Sequence, residues 1–258
     1  MKPISSIPSG PAGGLADRKP ERDPLGLYAS AIDTSDYVAR VAPLIRQLVP
    51  DTGDLIDIGA GAGQLGGALV DRGRRWTAIE PAPVMQARLQ ALPNPPALIP
   101  LGWDDPGLVC APAATVLAAT MPGYLADPAA FLAFCRSLAR HAIIWVVPAQ
   151  RGPRGLILAG CLPSAWHGED ETPAIDLILP QLRGDRPSVL AETDWTFSLV
   201  TRDLPGLGRY LADRLGWLPD DPRRADLIAD LASQAETVPG GLCLSVHRRS
   251  AILVWNLS

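Results

Sequence analysis

A glycine-rich segment flanked by two acidic residues carries the clearest chemical signal in the sequence. Residues 57–65 read DIGAGAGQL, where a predicted strand gives way to a predicted helix. Glycines there allow a ligand to approach the backbone closely, and the first turn of the helix offers free N–H groups. Glu80 follows about one helix and one strand later, at the end of the next predicted strand. In a parallel α/β sheet that position lies beside the glycine loop, so its carboxylate can accept hydrogen bonds from both hydroxyls of a ribose.

The glycine pattern can be aligned in two registers, which favour different ligands. Residues 61–66 match G-x-G-x-x-G, the dinucleotide fingerprint, which is a weak signal on its own. Counting from Gly59 instead places an acid, Asp57, two residues before the first glycine. We favour this second register for two reasons. Gly59 directly follows the predicted strand, and an acidic residue at the end of a buried strand is unusual unless it has a role in the site.

The elements around this segment predict an α/β fold. Apolar segments predict strands at 54–58, 76–79, 97–100, 114–119 and 142–147. Helical spacing predicts one or two helices over 28–48 and further helices at 65–70, 84–92 and 127–140, the last with Asp127 as its N-cap. This alternation is typical of a doubly wound parallel sheet. After Pro148 we expect helices at 174–182, 207–215 and 224–232, and strands at 195–201, 242–246 and 251–255, the last two joined by a turn at 247–249.

In the second register, the segment resembles motif I of the class I S-adenosylmethionine-dependent methyltransferases. Residues 78–85 (AIEPAPVM) resemble the second motif of that family, an acid followed by a helix with an apolar residue over the adenine. Residues 101–105 (LGWDD) resemble its turn after the third strand, and residues 117–122 (LAATMP) lie where its fourth strand ends beside the methyl donor. The resemblance implies S-adenosylmethionine as cofactor, held by Asp57, Gly59, Ala60, Gly61, Gly63, Glu80, Pro81, Met85, Trp103, Asp104, Thr120 and Met121.

The resemblance also implies the architecture. It predicts a doubly wound, mostly parallel seven-stranded sheet with helices on both faces and an antiparallel C-terminal hairpin. We expect residues 1–24 to form a flexible segment and residues 25–258 a single domain. Within it, residues 25–148 would bind the cofactor, and residues 149–258 would supply a substrate or lid insertion and the terminal antiparallel strands.

Departures from the family pattern narrow the expected acceptor. Residues 119–122 (ATMP) replace the Asn/Asp-Pro-Pro-Tyr/Phe motif of the enzymes that methylate amides and exocyclic amines. The acid cluster of magnesium-dependent catechol methylators is also missing, so a small-molecule acceptor is favoured and no metal is expected. Candidate acceptor contacts are Tyr28, Tyr124, Trp166 and His167. His167 is the candidate general base, although the acidic loop around it can equally be a solvated surface segment.

Composition excludes several other classes of function. The net charge is -4, which argues against a dedicated nucleic-acid binder. The only lysines are Lys2 and Lys19, so the predicted domain has none for a Schiff base, a P-loop or a Tyr-Lys dehydrogenase pair. No apolar run is long enough for a transmembrane helix, and the four cysteines form no CxxC pair, which together favour a cytoplasmic protein without a membrane partner.

Three functions remain open at this stage. We favour methyl transfer from S-adenosylmethionine to a small molecule. The first alternative is a non-catalytic module, or partner subunit, that binds S-adenosylmethionine or S-adenosylhomocysteine through the same fold. The second is a nicotinamide-dependent dehydrogenase, which the expected antiparallel tail disfavours. The oligomeric state does not follow from the sequence.

Overall fold

A mixed β-sheet forms the centre of the computed structural model, which describes residues 23–121, 126–153, 158–182 and 184–257. The strands are β1 (Leu55–Ile58), β2 (Trp76–Ile79), β3 (Ala97–Ile99), β4 (Ala113–Ala119), β5 (Ala139–Pro148), β6 (Val189–Thr201), β7 (Glu236–Val238) and β8 (Gly241–Asn256). Their order is β3-β2-β1-β4-β5-β8-β6, and β7 pairs with β8. Strands β1 to β5 are parallel, and β8 runs antiparallel to β5, β6 and β7.

Helices cover both faces of this sheet. They are α1 (Pro24–Thr34), α2 (Tyr37–Leu48), α3 (Gln64–Leu69), α4 (Pro83–Gln90), α5 (Pro128–Leu138), α6 (Ser164–His167), α7 (Ala174–Ile178), α8 (Leu204–Arg214) and α9 (Arg223–Gln234). All four residues of β1 are buried, as expected for a strand covered on both sides. The predicted fold class is therefore confirmed, with β7 as one short strand that the sequence pattern did not indicate.

An aspartate N-cap with a proline in the first turn begins three of the helices. Asp23 caps α1 by accepting a hydrogen bond from the N–H of Leu25, and Asp127 caps α5 by accepting one from Ala130. Asp203 caps α8 in the same way. In each case a proline in the first turn has the backbone angle a helix needs, so the start of the helix is fixed locally. The predicted N-cap at Asp127 is confirmed.

The predicted antiparallel C-terminal hairpin is confirmed, but its strands have other bounds than the sequence pattern predicted. Residues 241–256 form one continuous strand, β8, so the predicted turn at 247–249 is wrong. The reason is that successive side chains of a strand point to opposite faces of the sheet. His247 and Arg249 are exposed on one face, whereas Arg248 between them is half-buried on the other. Three consecutive polar residues therefore fit a strand with one exposed face. The antiparallel partner of β8 is the long strand β6, which begins at Val189 rather than at Trp195.

Two kinds of feature are absent from the described residues. No helix in the described ranges has both the length and the hydropathy needed to cross a bilayer. The same part of the chain contains no group of three or more histidine, cysteine or acidic side chains placed to hold a metal ion.

Candidate functional site

A cavity of about 410 Å³ opens at the carboxyl ends of the parallel strands. Its walls come from the loop after β1, the ends of β2 and β4, the turn after β3, and helices α1 and α2. In an open α/β sheet, ligands bind at this edge, where the strand order reverses between β1 and β4. Eleven of the twelve predicted cofactor residues line the cavity, and the exception is Gly63. Segments that are far apart in sequence therefore converge as expected.

The three glycines of the loop have different structural roles. Gly59 has a φ of +62°, and a side chain there would clash with Met121 at the end of β4. Gly61 has a φ of +57° and open space where a Cβ would lie. Gly63 has a φ of +81°, and a Cβ would lie 2.7 Å from the Leu89 side chain. Gly63 thus allows α3 to pack against α4, whereas Gly61 leaves the cavity wall free for a ligand.

Glu80 lies at the end of β2 and is buried, with 6% of its surface exposed. One carboxylate oxygen accepts a hydrogen bond from the N–H of Gly61, and the other accepts one from Ala82, both at 2.8 Å. Burial raises the pKa of Glu80, and these two hydrogen bonds oppose the rise. Each oxygen retains acceptor capacity, so a ligand in the cavity can donate hydrogen bonds to the same carboxylate.

Asp57 lies in β1, beneath the glycine loop, and is 3% exposed. Burial, with a smaller effect of the negative charge of Glu80, raises the pKa of Asp57 to about 8. A side chain at Gly66 would clash with the Asp57 carboxyl group, so that glycine provides the room it occupies. At neutral pH Asp57 is therefore mostly a neutral acid that can donate a hydrogen bond.

Side chains after β2 and β3 form the other end of the cavity. Met85 on α4 is buried against Ala29 and Ala62, which joins α4 to α1 and to the loop. The Trp103 ring lines the cavity and packs edge-on against Phe131, with ring centroids 5.1 Å apart. Asp104 is exposed beside it at the rim. A flat apolar ligand group can therefore lie between Met85 and Trp103 with a carboxylate at its edge.

Two tyrosines from α1 and α2 meet Thr120 at the end of β4. The hydroxyl groups of Tyr37 and Thr120 are 3.4 Å apart. Tyr28 also hydrogen-bonds the Thr120 side chain; burial, the larger effect, raises the pKa of Tyr28, and this bond lowers it. Thr120 has a φ of +56°, which is rare for a residue with a branched side chain. A small polar cluster therefore stands at the strand end in an otherwise apolar wall.

Helix α1 is held over the cavity by side chains that sequence analysis missed. Gln64 donates a hydrogen bond to Asp33 at 2.8 Å, and Arg88 on α4 forms an ion pair with the same aspartate. On the other side, Asp36 accepts a hydrogen bond from the N–H of Thr196 on β6 at 2.6 Å. These contacts join elements that are distant in sequence, and no local pattern in α1 signals them.

The predicted acceptor residues are only partly brought together. Tyr28 lines the cavity, whereas Trp166 packs edge-on against Trp217, with ring centroids 5.8 Å apart. The His167 side chain is buried; its Nδ1 accepts a hydrogen bond from the N–H of Glu169, and its Nε2 is 3.6 Å from Glu171. Neither Trp166 nor His167 lines the cavity. Tyr124 lies outside the described residues. The roles of these three residues therefore stay predictions.

Comparisons with known proteins agree with this geometry. No protein-family model matches the sequence, and no curated protein does either. Among solved structures, a candidate type II methyltransferase from Anaeromyxobacter dehalogenans is 20% identical and has a TM-score of 0.52, over 84% of this chain and 94% of that one. Magnesium protoporphyrin IX methyltransferase from Synechocystis PCC 6803, solved with bound S-adenosylhomocysteine, is 12% identical at a TM-score of 0.44, over 94% and 90% of the two chains. The first likeness and the strand order show that the chain has the fold of the class I S-adenosylmethionine-dependent methyltransferases.

Proposed function

We propose that the protein binds S-adenosylmethionine and transfers its methyl group to a small-molecule acceptor. The observation that carries the proposal is the buried carboxylate of Glu80, which faces a ligand-sized cavity from the end of β2 beside Gly61. A buried carboxylate is costly unless it is paired or hydrogen-bonded. Ribose hydroxyls would add two hydrogen bonds to the two that the backbone already supplies.

The remaining walls fit the other parts of such a ligand. Gly61 leaves open space at the loop for the amino-acid portion. Met85 and Trp103 would flank the adenine, and Asp104 would accept a hydrogen bond from its amino group. When bound, S-adenosylmethionine supplies a sulfonium methyl group that a nucleophile can displace in line. The cavity volume is within the range of about 300–1,000 Å³ that is usual for small-molecule sites.

The protein's own residues would mainly orient the acceptor and exclude water. Helices α1 and α2 cover the cavity, and the hydroxyl groups of Tyr28, Tyr37 and Thr120 stand where the acceptor would approach. Because burial raises the pKa of Tyr28, its phenol stays neutral and serves as a hydrogen-bond donor or acceptor. No histidine lines the cavity in the described ranges. Alignment alone supplies much of the acceleration expected of a methyl displacement.

The small-molecule acceptor is the narrower part of the proposal. It is supported by the cover that α1 forms over the cavity and by the sequence ATMP at the end of β4. A long nucleic-acid or protein substrate would need an open groove at this point. A role of His167 as general base, with Trp166 and Tyr124 against the acceptor, remains a prediction.

The experiment that tests the proposal measures S-adenosylhomocysteine formation. The protein is incubated with S-adenosylmethionine and a panel of small acceptors, and a parallel reaction without acceptor measures uncoupled breakdown. We expect acceptor-dependent S-adenosylhomocysteine, together with an acceptor heavier by one methyl group. Binding of S-adenosylhomocysteine with no turnover across the panel would instead support the non-catalytic module.

A further inference from the structure

Arg248 lies on β8 at the edge of the sheet where the acceptor would enter. It pairs with Trp195 on β6, and it stands two residues before Ser250, which pairs with Pro148 at the end of β5. Cross-strand partners share one face of a sheet. The Trp195 ring on that face contacts the ring of Tyr37, with centroids 4.7 Å apart, and Tyr37 lines the cavity. Arg248 is therefore beyond the carboxyl end of β5, next to the tyrosine wall.

The charge of Arg248 has no counter-charge among the described residues. Four described arginines are half-buried, and three have an aspartate within salt-bridge distance: Arg46 with Asp71, Arg88 with Asp33, and Arg224 with Asp213. Arg248 is the fourth, and no described carboxylate lies within that distance of it. Burial lowers the pKa of Arg248. A partly desolvated cation without a partner is costly and gains most from an anionic ligand.

The backbone leaves space for this guanidinium group. A Cβ on Gly160 would lie 2.7 and 2.8 Å from its two Nη atoms, and a Cβ on Gly152 would lie 3.3 Å from one of them. The neighbouring Cys161 thiol supplies no charge, because burial raises its pKa to about 11. On the cavity side, the charge of Arg248 acts on Tyr28, whose hydroxyl reaches Thr120. Tyr28, which lines the cavity, thus feels the charge of Arg248 and hydrogen-bonds Thr120.

We propose that Arg248 recognises a carboxylate group on the methyl acceptor. The inference rests on the proposed function and names the substrate class of that site: a small carboxylic acid with an apolar or aromatic body. A guanidinium group offers two parallel N–H groups that match the two oxygens of a carboxylate. The Trp195 and Tyr28 rings would contact the body of the acid.

The carboxylate of the methyl donor is a less suitable partner for Arg248. The donor would lie along the loop after β1, and β8 is three strands away from β1 in the sheet. Neighbouring strands are about 4.8 Å apart, so the two positions are separated by roughly 14 Å. The test therefore measures donor binding and acceptor binding separately.

The test compares a matched acid and amide on protein saturated with S-adenosylhomocysteine. The probes are 3-phenylpropionate and 3-phenylpropionamide, and calorimetry gives each dissociation constant. We expect the wild type to bind the acid at least about tenfold more tightly, as for hydrogen bonds to a charged group. Arg248→Gln should abolish this preference and leave S-adenosylhomocysteine affinity within about twofold. Arg248→Lys should retain part of it, because a point charge remains.

Arg249→Gln is the control, since Arg249 is the exposed neighbour on the opposite face and pairs with Asp194. It should keep the wild-type preference for the acid over the amide.

The wild-type protein alone can overturn the inference, if it binds acid and amide with equal affinity or does not bind the acid. A preference that survives in Arg248→Gln, or tighter binding of 3-phenylpropylphosphonate than of the acid, also overturns it. Loss of S-adenosylhomocysteine affinity in Arg248→Gln would assign Arg248 to the donor, whereas no such affinity in the wild type would refute the proposed function itself.

Discussion

Two buried carboxyl groups at the cavity, Asp57 and Glu80, are stabilised in different ways. Glu80 accepts hydrogen bonds from two backbone N–H groups at 2.8 Å, which favour its charged form. Asp57 has its pKa raised to about 8, first by burial and then by the charge of Glu80. The site therefore combines a carboxylate held by two backbone hydrogen bonds with a buried acid whose pKa is raised, a difference set by environment rather than by residue type.

The raised pKa of Asp57 makes the stability of the free protein depend on pH. In the unfolded chain the group has its ordinary value of 3.8, so between about pH 4 and pH 8 the folded state binds the extra proton. The stabilising contribution is complete below pH 4 and is lost as the pH rises through about 8. The ceiling is about 6 kcal/mol, since each pH unit between the two values contributes ~1.4 kcal/mol.

Asp57→Asn removes this titration, so its melting temperature should rise relative to the wild type as the pH increases from 5 to 8. Thermal unfolding of both proteins at a series of pH values measures the difference. Asp220→Asn is the matched control, because Asp220 is exposed, and its difference from the wild type should stay constant. A difference for Asp57→Asn that is also constant with pH would show that Asp57 is charged in the folded protein.

Eleven of the twelve residues predicted to hold the cofactor line the cavity, whereas of the predicted acceptor contacts only Tyr28 does among the described residues. Asp57 and Glu80 end adjacent parallel strands, so the order of elements alone brings them together. The surroundings of Arg248 and the hydrogen bonds of Gln64 depend on how β6, β8 and α1 pack, and no periodicity specifies that packing. The same is true of His167. Its sequence neighbours predicted an acidic loop with His167 as a candidate general base, whereas the structure buries its side chain beside Glu171.

At the scale of elements, α1 covers one side of the cavity. It contributes Leu25, Tyr28 and Ile32 to the lining, and its C-terminal end is tied to α3 and α4 through Asp33. The corner between α1 and α2 also satisfies N–H groups of the edge strand β6, including that of Thr196. These hydrogen bonds occupy two N–H groups of the edge strand and attach the corner between α1 and α2 to β6.

Asp33→Ala should loosen the cover without changing any group that lines the cavity. It removes a hydrogen bond from Gln64 and an ion pair with Arg88, each half-exposed and worth a few tenths of a kcal/mol to about 1 kcal/mol. We therefore expect S-adenosylhomocysteine to dissociate roughly three- to tenfold faster, measured by stopped-flow fluorescence. Asp220→Ala, at an exposed position away from the cover, should dissociate at the wild-type rate. An unchanged rate in Asp33→Ala would mean that α1 does not limit ligand release.

The C-terminal strands show where element prediction fails. The polar triplet at residues 247–249 resembles a turn because strands rarely carry three consecutive polar residues. In β8 two of them face solvent, and the third, Arg248, turns inward at the site edge. The sequence pattern thus predicted a turn where the structure has a strand, and this position includes Arg248, the residue that we propose for acceptor recognition.

At the scale of the whole molecule, the chain joins a parallel half to an antiparallel half along the pair β5 and β8. The parallel half, β1 to β5, carries the glycine loop, Asp57 and Glu80. The antiparallel half, β6 to β8, carries Trp195 and Arg248. The donor would therefore lie on the parallel half, whereas the acceptor would contact Tyr28 on α1 as well as the antiparallel half and would meet the donor at the end of β4. The division into residues 1–24, 25–148 and 149–258 remains a prediction.

Calorimetric titration with S-adenosylhomocysteine and with NADH tests the central claim most directly. Both ligands contain a ribose, so the comparison separates a methyltransferase site from a dinucleotide site with the same acid. The wild type should bind S-adenosylhomocysteine and not NADH. Glu80→Ala should weaken S-adenosylhomocysteine binding by at least about tenfold, since hydrogen bonds to a charged acceptor contribute about 1.5–3 kcal/mol each. Glu236→Ala, at an exposed glutamate on β7, should bind like the wild type. Binding of NADH without S-adenosylhomocysteine, or an unchanged dissociation constant in a folded Glu80→Ala variant, would contradict the account.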